Sequence, residues 1–358
     1  MTAAGAVAAR IVAELGAQLA QHGAQATAPY ALGGHAPAAL ALPRTAEEAA
    51  AVLALAERAG WAVVPWGGPP HAAPCGAPAR YDVALSLAGL ARLLDHDAEN
   101  LTLTAEAGMT LAEANRLMRP RRQCLPAGYP HERRTLGGLV ASGRIPPKRM
   151  LYGDLRDQLL ALRVATARGT LVRYGRKVIK NVAGYDMNKL FLGSEGVFGV
   201  IVETTFKLAA LPDQEGGVMG AFPQRAGALA CAAALYRSAL LPASLVILDR
   251  RTAGVFRSAQ GLADRAGAAH LFAAFDGRAI AVRRQTRDSA ELMMRHGAEI
   301  TDAVPMLAPA AANALEYPAA NGAPGVRLDL GVPVTELAAV WEQTAAELSQ
   351  LGLSATAV

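Results

Sequence analysis

Three glycine-bearing segments carry the residue types best suited to chemistry in this 358-residue chain: Trp66-Gly67-Gly68, Thr135-Leu136-Gly137-Gly138, and Gly193-Ser194-Glu195-Gly196-Val197-Phe198-Gly199. Glycine has no Cβ, so a glycine pair leaves backbone N–H groups approachable and can form an anion-holding nest of the kind that grips a pyrophosphate. Any one such pair is more commonly a tight turn. None of the three fits a Rossmann G-x-G-x-x-G or a Walker P-loop, because the spacing differs and no Gly-Lys-Ser/Thr occurs. Other chemistries have weaker support. Cys75, Cys124 and Cys231 stand far apart with no C-x-x-C, which suggests neither a disulfide framework nor a zinc or iron-sulfur site and fits a reducing, cytoplasmic setting. The C-terminal half offers His270 and His296, widely separated and without the paired spacing a metal site wants. Arg251, Arg278 and Arg327 could clamp a carboxylate, though nothing in the spacing singles one out.

The elements that must position these segments follow from apolar periodicity and turn chemistry. The alanine-rich first twenty residues, interrupted by Arg10 and Glu14, predict an amphipathic helix rather than a signal peptide. Thr45 with Glu48 makes a capping box for a helix running to Ala59, which Gly60 stops. Trp61–Val64 reads as a short buried strand that runs into Pro65-Trp66-Gly67-Gly68-Pro69-Pro70-His71, placing a Gly/Pro loop at a strand's end. A strand over Leu101–Glu106 leads into a helix over Thr110–Met118, again with a Thr-x-x-Glu box, ending at Pro120. Leu159–Ala167 and Thr170–Tyr174 flank Arg168-Gly169 as a hairpin. Gly199–Leu208 alternates apolar and polar residues as a strand with one buried face. The polar Asp-Gln-Glu-Gly-Gly stretch in Pro212–Gly217 marks the boundary between domains at 1–213 and 214–358. Beyond it, helical patterns at Gly227–Leu240 and Ala279–His296 alternate with strands at Ser244–Leu248 and His270–Phe275.

The length allows two domains with separate cores. A formal charge of +5, with basic and acidic residues interspersed, does not argue for a nucleic-acid partner. The densest basic stretch, Arg119, Arg121, Arg122, Arg133, Arg134, Lys148 and Arg149 opposed by Glu132, reads as a solvated face, with phosphate or an acidic partner as the alternative. Apolar runs are all broken by charge well short of a membrane span, so no direct membrane insertion is expected.

Taken in order, four blocks sharpen the reading: Thr135-Leu136-Gly137-Gly138-Leu139-Val140-Ala141-Ser142-Gly143, Tyr152-Gly153-Asp154-Leu155-Arg156-Asp157, Lys180-Asn181-Val182-Ala183-Gly184-Tyr185-Asp186, and Gly193 through Ile201. Together they resemble the FAD-binding accessory subunits of glycolate oxidase complexes, within the vanillyl-alcohol-oxidase-like flavoproteins. The resemblance runs from Leu42 to Leu208, a little under half the chain. It implies an α+β fold: a PCMH-type FAD-binding domain of two α+β subdomains, followed by a smaller α+β C-terminal domain. It further implies noncovalent FAD, with Pro65, Trp66, Gly67, Gly68, Thr135, Leu136, Gly137 and Gly138 cradling the pyrophosphate. Ala141, Ser142 and Gly143 would line the path to the flavin, Val200 and Ile201 would meet the isoalloxazine edge, and Pro126, Tyr152, Gly153, Glu195 and Gly196 would complete the lining. The Lys180–Asp186 block would support the cleft, and Arg156-Asp157 reads as a structural ion pair or cap.

Two departures from that pattern stand out. Pro69-Pro70 follows Gly67-Gly68 where a third glycine and a small hydroxyl residue are usual, removing two N–H donors from the expected nest. Pro146-Pro147-Lys148-Arg149 replaces a Gly-Pro-Arg-Arg-like run, which makes that loop stiffer. His71 suggests covalent flavin attachment, but its offset from the glycine pair differs from the covalent pattern, and a surface-loop histidine is the commoner case. Tyr152 and Tyr185 could stack on the flavin or be buried with satisfied hydroxyls. The implied function is an FAD-binding subunit that works with a homologous catalytic FAD subunit and an iron-sulfur subunit on glycolate or a similar 2-hydroxy acid. That assembly would be cytoplasmic, or peripheral to the inner membrane through its partners. A self-sufficient flavin oxidoreductase of another small substrate and an FAD-free structural subunit are the alternatives, and no catalytic residue is assigned.

Overall fold

Turn signals and apolar runs resolve into two units in the computed structural model, which describes residues 3–68, 78–128, 134–178, 185–308, 310–311, 331–333 and 335–351. The first unit comprises Met1–Pro146 and Asp154–Leu211, the second Pro147–Gly153 and Pro212–Val358. In the first unit, helix α1 spans Ala3–Leu15 and helix α2 spans Ala46–Ala59. Thr45 caps α2 as its sequence predicts, its Oγ1 accepting from Glu48 N at 3.1 Å. The Glu48 carboxylate, however, reaches one residue further back than a capping box requires, to Arg44 N at 2.7 Å. Gly60 ends the helix at φ 67°, a left-handed conformation that turns the chain into the next strand.

Strands β1 (Ala39–Ala41), β2 (Val63–Trp66) and β3 (Val83–Ser86) form a small sheet in which β1 and β2 both run parallel to the central β3. The two-residue strand Ala20–Gln21 pairs antiparallel with β1 at its edge. Parallel strands need cover on both faces, and β1 and β3 are buried throughout. The alanines of α2 let that helix approach closely, so Ala49, Val52 and Leu55 share a core with Val83, Leu85 and Ile11.

The second subdomain is a five-stranded antiparallel sheet. Its strands are β4 (Leu93–Asp97), β5 (Thr102–Glu106), β6 (Leu159–Ala165), β7 (Leu171–Gly175) and β8 (Val200–Lys207), in the order β4-β5-β8-β6-β7. Helix α3 (Leu111–Met118) is capped by Thr110, but Glu113 pairs with Arg116 instead of completing the box. The helix passes into a tight turn over Arg119–Arg121, so Pro120 lies inside that turn rather than beyond the end. Helix α4 (Leu136–Ser142) crosses behind β5 and β8.

Strand β8 corrects an expectation. Its alternation predicts one buried face, yet seven of its eight residues are buried. The polar face is covered by a charge ladder rather than by water. Glu203 stands directly across from Glu106 on β5, a repulsive register on its own. Arg163 reaches Glu203 at 2.5 Å and Arg173 reaches it at 2.7 Å, while Arg92 holds Glu106 at 2.8 Å. We expect Glu203→Gln to destabilise the chain by about 1–2 kcal/mol in urea melts. That is less than for a fully enclosed pair, because both arginines on Glu203 keep part of their hydration.

In the second unit, α5 (Arg149–Tyr152) precedes β9 (Gln214–Phe222), α6 (Arg225–Arg237), β10 (Ser244–Asp249), α7 (Arg250–Ala259), β11 (Ala269–Gly277), α8 (Ala279–Arg295), β12 (Ile300–Val304) and α9 (Leu337–Gln350). The antiparallel sheet order is β10-β11-β9-β12. The polar, glycine-bearing stretch read as the domain boundary is itself the start of β9. Gly217 pairs opposite Ala274, and a Cβ there would meet the Ala273 carbonyl at 2.6 Å, so its glycine serves close strand approach. On β11, Ala269, Leu271, Ala273 and Phe275 join α6 and α8 in one core, with Cys231 and Val282. Burial pushes the Cys231 thiol up to about 12, leaving it an inert packing group.

The alternate β11 residues, His270, Phe272 and Asp276, point to the opposite face, where Phe272 packs on Phe256 of α7 at 5.0 Å. His270 is only 1 % exposed, and burial, with Arg257 and Arg250 nearby, depresses it to about 4 against the pull of Asp264 and Asp249. An unfolded chain therefore takes up a proton near pH 6.5 that the folded chain refuses until about pH 4. We expect stability to be fully present above pH 6.5 and to fall by about 3 kcal/mol as pH drops through that window. Urea midpoints at pH 7, 5.5 and 4.5 check this, and His270→Leu should flatten the slope.

Candidate functional site

Strand β2 delivers Pro65-Trp66-Gly67-Gly68 to one side of the first unit. Trp66 does not offer its ring there: the indole N–H donates to Tyr81 Oη at 2.6 Å, and Tyr30 meets the ring edge-on at 5.0 Å. Burial pushes the Tyr81 phenol up, so it stays protonated and accepts that bond. What this segment presents outward is backbone. A Cβ on Gly67 would stand 2.2 Å from Thr135 Oγ1, so the loop and the start of α4 touch through the missing side chain.

The N–H groups of the second glycine segment are already engaged. Leu136 N donates to Met109 O at 2.8 Å, Gly137 N to Ala107 O at 2.8 Å, and Gly138 N to Thr135 Oγ1 at 3.2 Å. The expectation of a nest with free donors fails for these three residues. Gly137 works by size instead, since a Cβ there would lie 2.7 Å from the Ala107 Cβ and lift α4 off the sheet. At the other end of α4, Ala141, Ser142 and Gly143 are half-buried. Gly143, at φ 58°, would drive a Cβ to 2.6 Å from Gly193 Cα.

The third segment closes the ring. Gly193 N donates to Val140 O and Glu195 N to Ala141 O, both at 2.9 Å, stitching the turn to α4. Gly193, Glu195 and Gly196 all hold positive φ, at 75°, 50° and 82°. Glu195, exposed, is the non-glycine member of that strained run. Gly196 faces Pro65, where a Cβ would meet Cγ at 2.6 Å. The buried Ser194 hydroxyl has no hydrogen-bond partner among the described residues. Val200 and Ile201 follow, each 4 % exposed and paired with Ala165 and Val164, so their side chains belong to the core and only their backbone edge is available. Pro126 is buried. All three glycine segments therefore meet, β2 against α4, α4 against the Gly193 turn, and that turn against β2.

Tyr152 and Gly153 belong to the second unit. The Tyr152 hydroxyl donates to Asp276 Oδ2 at 2.9 Å, and Lys148 Nζ reaches the same carboxylate at 2.9 Å and Glu215 at 2.8 Å. Lys148 and Arg134 are buried, which removes both from the solvated basic face read in the sequence; Arg119, Arg121, Arg122 and Arg149 are exposed. Nothing in the sequence near Lys148 signals this burial. Asp276 lies just past the strand read over His270–Phe275, and β11 runs through it to Gly277. Asp157 accepts from Asp154 N at 2.9 Å, a cap rather than a pair with Arg156. Tyr185 is 95 % exposed, so it is not a buried tyrosine. His296 holds the Leu292 carbonyl through Nδ1 at 2.9 Å. Pro69, Pro70, His71, Cys75, Glu132, Arg133, residues 180–184 and Arg327 lie outside the described residues.

Comparison with known proteins matches residues 37–175 to the family described as FAD binding domain. Residues 212–358 match FAD linked oxidases, C-terminal domain. D-2-hydroxyglutarate dehydrogenase of Xanthomonas citri pv. viticola is 33% identical over 188 residues, 52% of this chain and 40% of that protein. Glycolate oxidase subunit GlcE of Escherichia coli is 38% identical over 122 residues, 34% of this chain and 35% of that protein. The match thus spans less than half the length of either relative. Among solved structures, p-cresol methylhydroxylase superposes with a TM-score of 0.71 at 16% identity, over 87% of this chain and 71% of that one, a likeness of fold. No described helix is long and apolar enough to cross a membrane.

Proposed function

Because the chain belongs to the FAD-linked oxidase family, with an FAD binding domain followed by an FAD linked oxidase C-terminal domain, we propose that it is a flavoprotein oxidoreductase subunit for a small 2-hydroxy acid such as glycolate. We take 1–213 as the FAD-binding domain and 214–358 as the C-terminal domain. The observation that carries this reading is the closure of the three glycine segments on one another. Gly67 on Thr135, Gly143 on Gly193 and Gly196 on Pro65 are contacts that any side chain would break. A cradle drawn this tight suits a thin, extended ligand running along backbone.

In this reading Gly67, Gly68 and the Thr135 hydroxyl lie along the pyrophosphate. Ala141, Ser142 and Gly143 leave room for the chain of the cofactor, and Glu195 and Gly196 hold the adjoining turn in place. The backbone edge at Val200 and Ile201 orients the ring system, whose electronics such bonds tune. When bound, FAD would supply the redox chemistry of 2-hydroxy acid oxidation. Cofactor binding is noncovalent, and the chain works beside a homologous catalytic FAD subunit, with electrons passed to an iron-sulfur subunit. The relatives named as glycolate oxidase subunits, GlcE and GlcD, support a subunit role.

The test is the visible absorption spectrum of the purified chain, before and after adding FAD and again after denaturation. Oxidised-flavin bands released on denaturation support the proposal. Bands that stay with the denatured chain overturn the noncovalent mode, and an absence of flavin even with FAD supplied overturns the cofactor assignment.

A further inference from the structure

The second unit contains polar groups that its fold buries without pairing. Arg257 on α7 is 1 % exposed. Its Nη2 bonds to Asp302 of β12, and its Nε donates to the Ala263 carbonyl at 2.6 Å. Its Nη1 has no partner among the described residues. Arg265 reaches the same Asp302 with Nη2 at 3.7 Å, leaving its buried Nε unpartnered. His270, 1 % exposed on the neighbouring strand β11, has partners on neither ring nitrogen.

These groups gather beneath one loop. The loop starts where Leu262 N donates to Arg257 O at 2.8 Å, and its Ala263 carbonyl accepts from the Arg257 guanidinium. It carries Arg265 and ends with Gly267, whose missing Cβ would lie 3.3 Å from His270 Nε2. A bulkier residue at Gly267 would press on that ring. Two of the three unpartnered groups are donors only and belong to cations that share a single carboxylate. A buried donor left unmade costs more than the bond it would form is worth, and more when it is charged. Whatever satisfies them must accept hydrogen bonds and gain from fixed positive charge.

We infer that Arg257, Arg265 and His270, under the 262–267 loop, form a binding site for a small anion, a halide or compact oxyanion, inside the C-terminal unit. The anion accepts from Arg257 Nη1, Arg265 Nε and one His270 nitrogen, and it fastens α7 and the loop to the sheet. The site is separate from the glycine cradle and stands whether or not the flavin reading does.

Melting of the full chain in sodium bromide, compared with sodium gluconate at equal ionic strength, tests this. The wild-type chain should melt roughly 3 °C higher in bromide. Arg265→Gln, at a side chain one-third exposed and so tolerant of change, should lose most of that rise, and His270→Leu should lose part of it. Crystals grown in bromide should give an anomalous peak beside the Arg257 guanidinium. No rise, an equal rise in all three proteins, or a water in place of the anomalous peak would each overturn the proposal.

Discussion

Gly143→Ala should lose about 2–4 kcal/mol of stability and release FAD at least roughly tenfold more readily, as read by melting and by flavin fluorescence titration. Two costs combine at this residue. The backbone sits at φ 58°, which an L side chain tolerates only at about 1–2 kcal/mol. The new Cβ would also press on Gly193, at 2.6 Å from its Cα and 2.7 Å from its N. Those are main-chain atoms, so no rotamer change relieves them, and α4 must part from the Gly193 turn. Gly60→Ala separates the two costs. Gly60 has nearly the same φ, 67°, with nothing within 4 Å of an added Cβ, so it should show the backbone cost alone and leave FAD affinity unchanged. If both variants behaved alike, the closeness of α4 to the turn would have no bearing on cofactor binding.

Residues that act on their near neighbours in the chain are legible in the sequence. Thr45, Gly60, Thr110 and Gly169 act within a few residues of themselves, and each was legible as a cap or turn and does that work. The order of the four glycine blocks was legible too, because local spacing survives folding. What stayed hidden was how distant segments use their groups. Gly137 looks like a free donor in isolation, but the Ala107 carbonyl takes its N–H once α4 docks, while the Gly138 N–H goes to the helix's own cap, Thr135. The alternation of β8 was real, but whether its polar face meets water depends on strands that lie far away in the chain and bring Arg163 and Arg173 to Glu203. Lys148 reads as one more surface cation until residues 147–153 are seen to pack with a strand more than a hundred residues later.

That last contact leads to the second large effect. Asp276→Ala should destabilise the chain by about 3–5 kcal/mol, because the Asp276 side chain is 3 % exposed and serves two donors at once. Removing it takes from the Lys148 ammonium, itself 10 % exposed, the more buried carboxylate it reaches, Glu215 being 40 % exposed, and takes from the Tyr152 hydroxyl its bond to Oδ2. Asp276→Asn should cost less, since an amide oxygen still accepts from Tyr152 while the charge is lost. The informative variant is the pair Lys148→Met with Asp276→Leu. Both ions then leave together, no charge is stranded, and apolar groups of similar length fill their place, so the double variant should recover most of the single loss. A double variant as unstable as Asp276→Ala would show that residues 147–153 are held to the sheet by something other than this ion pair. Recovery would show that the pair's main cost falls on whichever partner is left alone.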